Sequence, residues 1–312
     1  MLNYDVLSKK PLIFKSFTGL EIPEFDTFYT KTQESYAEFE QKRLHREDRK
    51  RRIGAGHPFK LPLRDRVVML LIYYRLYVTS TLLAFLFDLG QTNVLKDIRM
   101  LEPLVTEALP LPRKLHQKAG RLGTLDEVEA LFPGFKAFLD ATEQEIPRPK
   151  DKAKRRTHYS GKRKRHTVKT QITVNADGLI VHKTPHSRGS RHDYALFKWR
   201  HPRLPGEVRL GVDLGYDGVQ NDYPGFNALV PFKRRSPGRG KRGVKAEELT
   251  CEQKAFNRRL SGERVVVEHT ISRLKKFRIM AHGFRNRLRH YDAMTDIVCG
   301  LVNLRTAGTI AV

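Results

Sequence analysis

Acidic residues are the first shortage in this chain. Its 312 residues carry 34 Asp and Glu against 59 Lys and Arg, a formal net charge of +25. That much uncompensated positive charge repels itself unless a polyanion lies against it, so nucleic acid is the first candidate partner. Cysteine is nearly absent. Cys251 and Cys299 cannot build a disulfide framework and their spacing suits no zinc motif, so both are read as reduced thiols of a cytosolic protein. The 12 histidines are scattered without clean ligand spacing, which argues further against zinc. Long apolar runs are missing too. The most apolar stretch, "VVMLLIYYRLYVTSTLLAFLFDL", is broken by Arg75 and by "TST" and falls short of the ~18–20 uninterrupted residues of a membrane span. The opening "MLNYDVLSKKPLIF" lacks the apolar core of a secretory signal. A cytoplasmic protein with no membrane partner and no internal repeat is expected.

What is present suffices for a sizeable core. At 39% hydrophobic residues the composition is globular. Residues 1–56 form an N-terminal arm or helical element, with a charged helical run "ESYAEFEQKRLHREDRKRR" stopped by "GAG". Residues 57–110 have helical periodicity that divides at "TS" and "DLGQT", predicting helices over about 62–77, 80–89 and 92–108. Two helices joined by a short turn containing Gly90 match a helix-turn-helix, whose later helix enters the major groove. Gln91, Thr92, Asn93, Lys96 and Arg99 would then face DNA, while Val94, Ile98 and Leu101 turn inward; a plain helical subdomain remains open. Residues 111–127 read as a linker. From 128 to 312 strands alternate with helices: "HTVKTQITVNADGLIVHKTP" is a hairpin around Asp177-Gly178, "EVRLGVDLGYDG" a short strand, 233–245 a Gly, Arg and Lys-rich loop, and 247–276 a long helix.

Three acids stand at telling places. Asp140 and Asp213 close short apolar strands, where a side chain leaves the core, and Glu268 interrupts the basic helical segment "GERVVVEHTISRLKKF". At ~100° per residue, Arg264, Glu268 and Lys275 fall within about 40° of one another, along the edge of the apolar face made by Val267, Ile271 and Leu274. Spacing alone leaves two readings: acid and cations on a cleft wall, or a surface pair between Arg264 and Glu268 contributing only ~0.2–0.5 kcal/mol. Asp193, in "GSRHD", is read as the cap of the helix beginning "YALFKW", with a metal ligand as the alternative, and Asp177 as turn chemistry. Asp217 and Asp222 lack the strand-end position.

The segment "RVVVEHTISRLKK" resembles the signature around the catalytic glutamate of transposases of the IS4 and IS5 insertion-sequence families, with Arg264, Glu268 and Lys275 at the Arg, Glu and Lys places and Ser261 at the Tyr place. "YSGKRKRHTVKTQITVNADGLI", "RGSRHDYALF" and "GVDLGYDG" are similar to the run seen in IS5-type transposases and their Harbinger relatives. The resemblance covers residues 135–305. It implies an α/β fold, an RNase H-like mixed sheet flanked by helices and preceded by an all-α helix-turn-helix domain. It implies that Asp140, Asp213 and Glu268 are catalytic and hold two Mg²⁺, with Mn²⁺ able to substitute. It further implies cutting at transposon ends, attack of the freed 3′-OH on target DNA, a homo-oligomer of two or more copies on double-stranded DNA, and a bacterial, nucleoid-associated setting. Arg264 and Lys275 would contact phosphate or steady Glu268.

Basic runs lie on both sides of the acids. Lys162, Arg163, Lys164 and Arg165 in "SGKRKRH", with Arg234 and Arg235 in "FKRRSPGRGKRGVK", are candidates for tracking phosphates without reading sequence. A nuclease of the same fold that does not join strands, and a non-catalytic DNA-binding regulator, are the alternatives.

Overall fold

A computed structural model describes residues 1–45, 47, 52, 56–234 and 248–307. They divide into two compact units, one formed by Met1–Leu111 with Arg273–Val312 and the other by Pro112–Ser272.

The first unit is helical. Its N-terminal part contains α1 (Tyr4–Ser8), α2 (Pro11–Thr18), α3 (Ile22–Glu34), α4 (Tyr36–Leu44), α5 (Leu63–Leu76), α6 (Ser80–Phe87) and α7 (Gln91–Ala108). A proline and a reciprocal capping box between Glu21 and Glu24 start α3. Helix α4 ends at Leu44; of the charged run predicted to continue to 52, residues 46 and 48–51 lie outside the described residues, as do 53–55 at the predicted stop. Every residue from Asp65 to Tyr74 is buried, so α5 is apolar nearly all round and runs through the core. The buried Arg66 cation is neutralised by Asp97 of α7 at 3.3 Å and stacks over the Phe59 ring. The turn at "TS" arises because Thr79 Oγ1 accepts the Leu82 N–H and caps α6. Asp88 then takes a left-handed conformation and Gly90 caps α7.

The second unit opens with α8 (Pro112–Ala119) and α9 (Leu125–Leu131), where a linker was expected. A capping box between Thr124 and Glu127 nucleates α9, and Ala119, Val128 and Leu131 bury against the core, which is why this stretch folds. There follow β1 (Lys136–Glu145), α10 (Lys152–His158), β2 (Tyr159–Ser160), β3 (Arg165–Asn175), β4 (Ile180–Lys183), β5 (Ser187–Arg188), α11 (Asp193–Trp199), β6 (Arg209–Gly211), α12 (Val219–Asp222), β7 (Asn227–Leu229) and α13 (Cys251–Lys275). The sheet order is β2-β3-β1-β6-β7, with β4 and β5 also paired to β3. Central β1 is antiparallel to β3 and parallel to β6, and β6 is parallel to β7, giving a mixed sheet. The hairpin at Asp177-Gly178 forms as predicted, with Gly178 at φ 83° and the Asn175 side chain accepting the Asp177 and Leu179 N–H groups. Leu139, Val181, Phe197, Leu210, Val212 and Tyr216 are among the buried side chains of one core. Each stabilises the fold by roughly 1.5–3 kcal/mol relative to exposure. Gly211 lets Phe138 and Leu260 of α13 come close: a Cβ there would meet Phe138 at 2.7 Å.

Beyond Ser272 the chain belongs to the first unit, adding α14 (Arg278–Ala281) and α15 (Tyr291–Ala307). Phe277 presses on Gly19, and Gly300 brings the α15 backbone so near Leu109 and Leu111 that a Cβ would lie 2.9 Å from each. The sequence expectation of one catalytic stretch from 128 to 312 therefore differs from this division, because the apolar faces of α14 and α15 pack with the N-terminal helices.

Candidate active site

Asp140 was expected at a strand end but sits in the middle of β1, opposite Ile172 of β3. The strand continues through "ATEQE" because its polar residues pair with polar β3 partners: Thr142 with Thr170, and Glu143 with Lys169. Burial pushes the Asp140 carboxyl above the usual carboxylate range. The Ala141 N–H, donating to Asp140 Oδ1 at 2.7 Å, and the Arg264 charge pull it down, while the charges of Asp193 and Asp213 push it up.

Asp213 follows β6 by two residues and starts a one-turn 3-10 segment, Leu214–Tyr216. Its Oδ1 accepts the Leu214 N–H at 2.7 Å and lies 3.8 Å from Nη1 of Arg264. Arg264 is buried on α13, and its Nε has no partner among the described residues. The ion pair that Arg264 makes is thus to Asp213, not to Glu268. Glu268, one turn further along α13, is exposed and makes no hydrogen bond or ion pair among the described residues. Lys275 ends the same helix, past the unit boundary at Ser272, and has a partner of its own. The structure thus brings Asp140, Asp213 and Arg264 into one electrostatic neighbourhood, with Glu268 on the helix that supplies Arg264.

Beside them lies a polar cluster that spacing did not reveal. The buried Lys169 ammonium donates to Asp193 Oδ1 at 2.7 Å and the Arg191 carbonyl at 2.9 Å, and stands 3.5 Å from Glu143. Asp193 therefore pairs with Lys169 rather than capping α11; His192 occupies the cap position. Gln171, two residues on, bonds Tyr216. The available signal was the placing of Lys169 and Gln171 in a strand-like run between the apolar Val168, Ile172 and Val174.

Carboxylate oxygens are the donors that a hard divalent cation takes, and the charges of Asp193 and Asp213 that push up the Asp140 carboxyl are what such a cation would offset. By donor chemistry the acids fit; among the described residues no three His, Cys, Asp or Glu side chains are gathered closely enough to hold a metal. Cys251 is exposed, Cys299 is buried, and neither is in a disulfide.

The basic candidates lie on surfaces. Lys162, Arg163 and Lys164 are exposed in the turn before β3, and Arg165, exposed at the first position of β3, pairs with Glu145 at 3.1 Å. Arg234 is exposed, and Arg235 lies outside the described residues. In the other unit, Gln91, Thr92, Asn93, Lys96 and Arg99 are exposed on α7, and Val94, Ile98 and Leu101 are buried. No described helix is long and apolar enough to cross a membrane.

Comparison with known proteins adds to this geometry. Residues 139–303 match the family described as DDE superfamily endonuclease, and residues 59–111 match the helix-turn-helix of DDE superfamily endonuclease. The chain is 29% identical over 262 residues to a protein of Microchaete diplosiphon named as a probable transposase for insertion sequence element IS702, covering 83% of this chain and 87% of that one. It is 26% identical over 230 residues to a protein of Streptomyces albus G named as a transposase for insertion sequence element IS112, covering 73% and 75%. No solved structure gives a significant match. The DDE endonuclease superfamily generally uses divalent metal ions, and a helix-turn-helix joined to an endonuclease domain implies DNA binding. The match over more than half of the chain, together with the helix-turn-helix match before it, makes this protein a member of the DDE superfamily endonucleases.

Proposed function

We propose that the protein is the transposase of an IS5-like insertion sequence, related to Harbinger-type transposases, acting at the nucleoid of a bacterium. It binds the terminal inverted repeats, cuts at the transposon ends and joins the freed 3′-OH to target DNA. The observation that carries this reading is the neighbourhood of Asp140, Asp213 and Arg264, beside a helix that presents Glu268. The RNase H-like reading is supported by the strand pattern, a central β1 with an antiparallel neighbour on one side and parallel β6 and β7 on the other.

Asp140, Asp213 and Glu268 would hold two Mg²⁺, or Mn²⁺ in their place; bound there, the ions would supply charge neutralisation for the attacking and leaving oxygens of phosphodiester displacement. Asp140 and Asp213 keep their carboxylates beside the scissile phosphate, and Arg264 steadies Asp213 and offers the phosphate its unpartnered Nε. Lys275 and the basic turn at Lys162–Arg165, with Arg234 and Arg235, hold the backbone. The α7 residues Gln91, Thr92, Asn93, Lys96 and Arg99 read the repeat from the major groove. Two ends must be held for joining, so a dimer or larger assembly forms on DNA.

The test is a Mg²⁺-dependent assay on DNA carrying the element's own ends, beside Asp213→Ala. Cut and joined products that vanish in the variant support the reading. Cutting without joining indicates a nuclease of the same fold, and tight binding with no Mg²⁺-dependent product indicates a regulator; either result sinks the transposase.

A further inference from the structure

Gln171 is fully buried in β3, a place that an apolar side chain would fill without desolvating an amide. Its Nε2 donates to the Tyr216 hydroxyl at 2.6 Å and to the Asp193 carbonyl at 3.3 Å. Tyr216, buried with its ring edge-on to Phe197, closes the 3-10 turn by donating its N–H to the Asp213 carbonyl at 3.0 Å. On the other side, Gln171 pairs with Ala141 and the next β3 residue pairs with Asp140. One amide therefore ties the strand that registers Asp140, the start of α11 and the turn that presents Asp213.

We infer that Gln171 is a positioning residue that fixes Asp213 relative to Asp140 through the Tyr216 hydroxyl, and so sets the affinity of the acids for a divalent cation. The sheet register already places Asp140, because β1 and β3 pair along nine residues. Asp213 has no such support: β6 is only three residues long and ends before it, and the side chain itself is exposed. Apart from the 3.8 Å approach of Arg264 to its carboxylate, the turn is held by the ring of Tyr216 in the core, whose rotation and depth the hydroxyl fixes. Supporting hydrogen bonds of this kind commonly change metal affinity by about 10–100-fold when removed.

The inference rests on the reading of Asp213 as a metal holder, and its test keeps the two apart. Mn²⁺ alone is titrated into the full chain, without DNA, and bound ion is read from the fall of the free-ion electron paramagnetic resonance signal. Wild type is compared with Gln171→Met, Tyr216→Phe, the double variant and Asp213→Asn, each checked for an unchanged circular dichroism spectrum. The expected result is that Asp213→Asn loses the site, that each single variant weakens Mn²⁺ binding about tenfold or more, and that the double variant is no weaker than the worse single. Tyr216→Phe removes one oxygen and keeps the packed ring, so it reports even where Gln171→Met folds poorly. Wild-type affinity in Tyr216→Phe, with Asp213→Asn defective, overturns the inference and spares the metal reading. Independent, additive losses in the double variant overturn it as well. Wild-type affinity in Asp213→Asn overturns the metal reading, and the inference with it.

Discussion

The buried guanidinium of Arg264 stands 3.8 Å from the carboxylate of Asp213 and also draws down the proton affinity of Asp140. One cation on α13 thus restrains two acids, one within β1 and one just past β6. Arg264→Met should lower Mg²⁺-dependent cutting by about 100-fold, with a fall in stability of roughly 1–3 kcal/mol as a buried, packed side chain is exchanged. Arg264→Lys should recover only part of the activity, since an ammonium is a point charge without the planar fork. Cleavage rates and urea unfolding check this; full activity in Arg264→Met would remove Arg264 from the site.

Glu268→Gln should separate chemistry from folding. The side chain is exposed and makes no ion pair among the described residues, so stability should change by no more than the ~0.5 kcal/mol usual for surface changes. DNA binding in a gel-shift assay should persist while cutting disappears. Retained cutting would strike Glu268 from the catalytic set.

The Lys169 ammonium, buried between Asp193 and Glu143, predicts a strong context effect. Lys169→Met leaves Glu143 without its cation and should cost about 3–5 kcal/mol in denaturant unfolding. Combining it with Glu143→Gln should restore part of that stability, because the uncompensated charge is then gone. Purely additive effects would show that the groups do not act together.

Two kinds of DNA contact should differ in salt response. Ala at Lys162 and Lys164 should weaken binding to any duplex and flatten the plot of log affinity against log salt by ~1 for each phosphate left without its cation. Ala at Lys96 and Arg99 should instead reduce preference for the terminal repeat over random DNA. Equal effects of both pairs on both substrates would contradict the division of labour.

His182 gives a pH dependence. Burial, with the nearby charges of His116 and Lys183, takes this imidazole from 6.5 down to about 3. The unfolded chain therefore binds the extra proton first as pH falls. Stability from the neutral ring is fully present above about 6.5 and is lost on the way down to about 3, at up to ~1.4 kcal/mol per pH unit. His182→Gln should flatten the slope of unfolding free energy between about pH 6.5 and 4. An identical slope in wild type and variant would show that other groups carry it.

Local signals in the sequence were good guides to local structure. The helix-turn-helix boundaries followed from Thr79, Gly90 and apolar periodicity, and the hairpin from Asp177-Gly178, because caps and turns are decided by residues next to each other. The long α13 was legible for the same reason. What was not legible depended on partners far along the chain. Asp140 lies mid-strand because β3 offers polar partners to β1; Asp193 serves Lys169 rather than a helix end; and residues 112–131 are largely helical because a core elsewhere receives Ala119 and Leu131. The three proposed acids were picked out by resemblance rather than by spacing, since spacing alone also allowed a surface pair of Arg264 with Glu268.

Gly300 against Leu109 and Leu111 bears on timing during synthesis. The unit that contains α7 is written on both sides of the other unit, so a ribosome must pass through the entire acid-bearing segment before α15 can cover Leu109 and Leu111. A chain interrupted after Ser272 would leave Gly19 without Phe277 and Leu109 without Gly300, an uncovered apolar surface that a protease or chaperone meets first. Completion of the helical unit that contains α7 is thereby deferred until translation has passed through Asp140, Asp213 and Glu268.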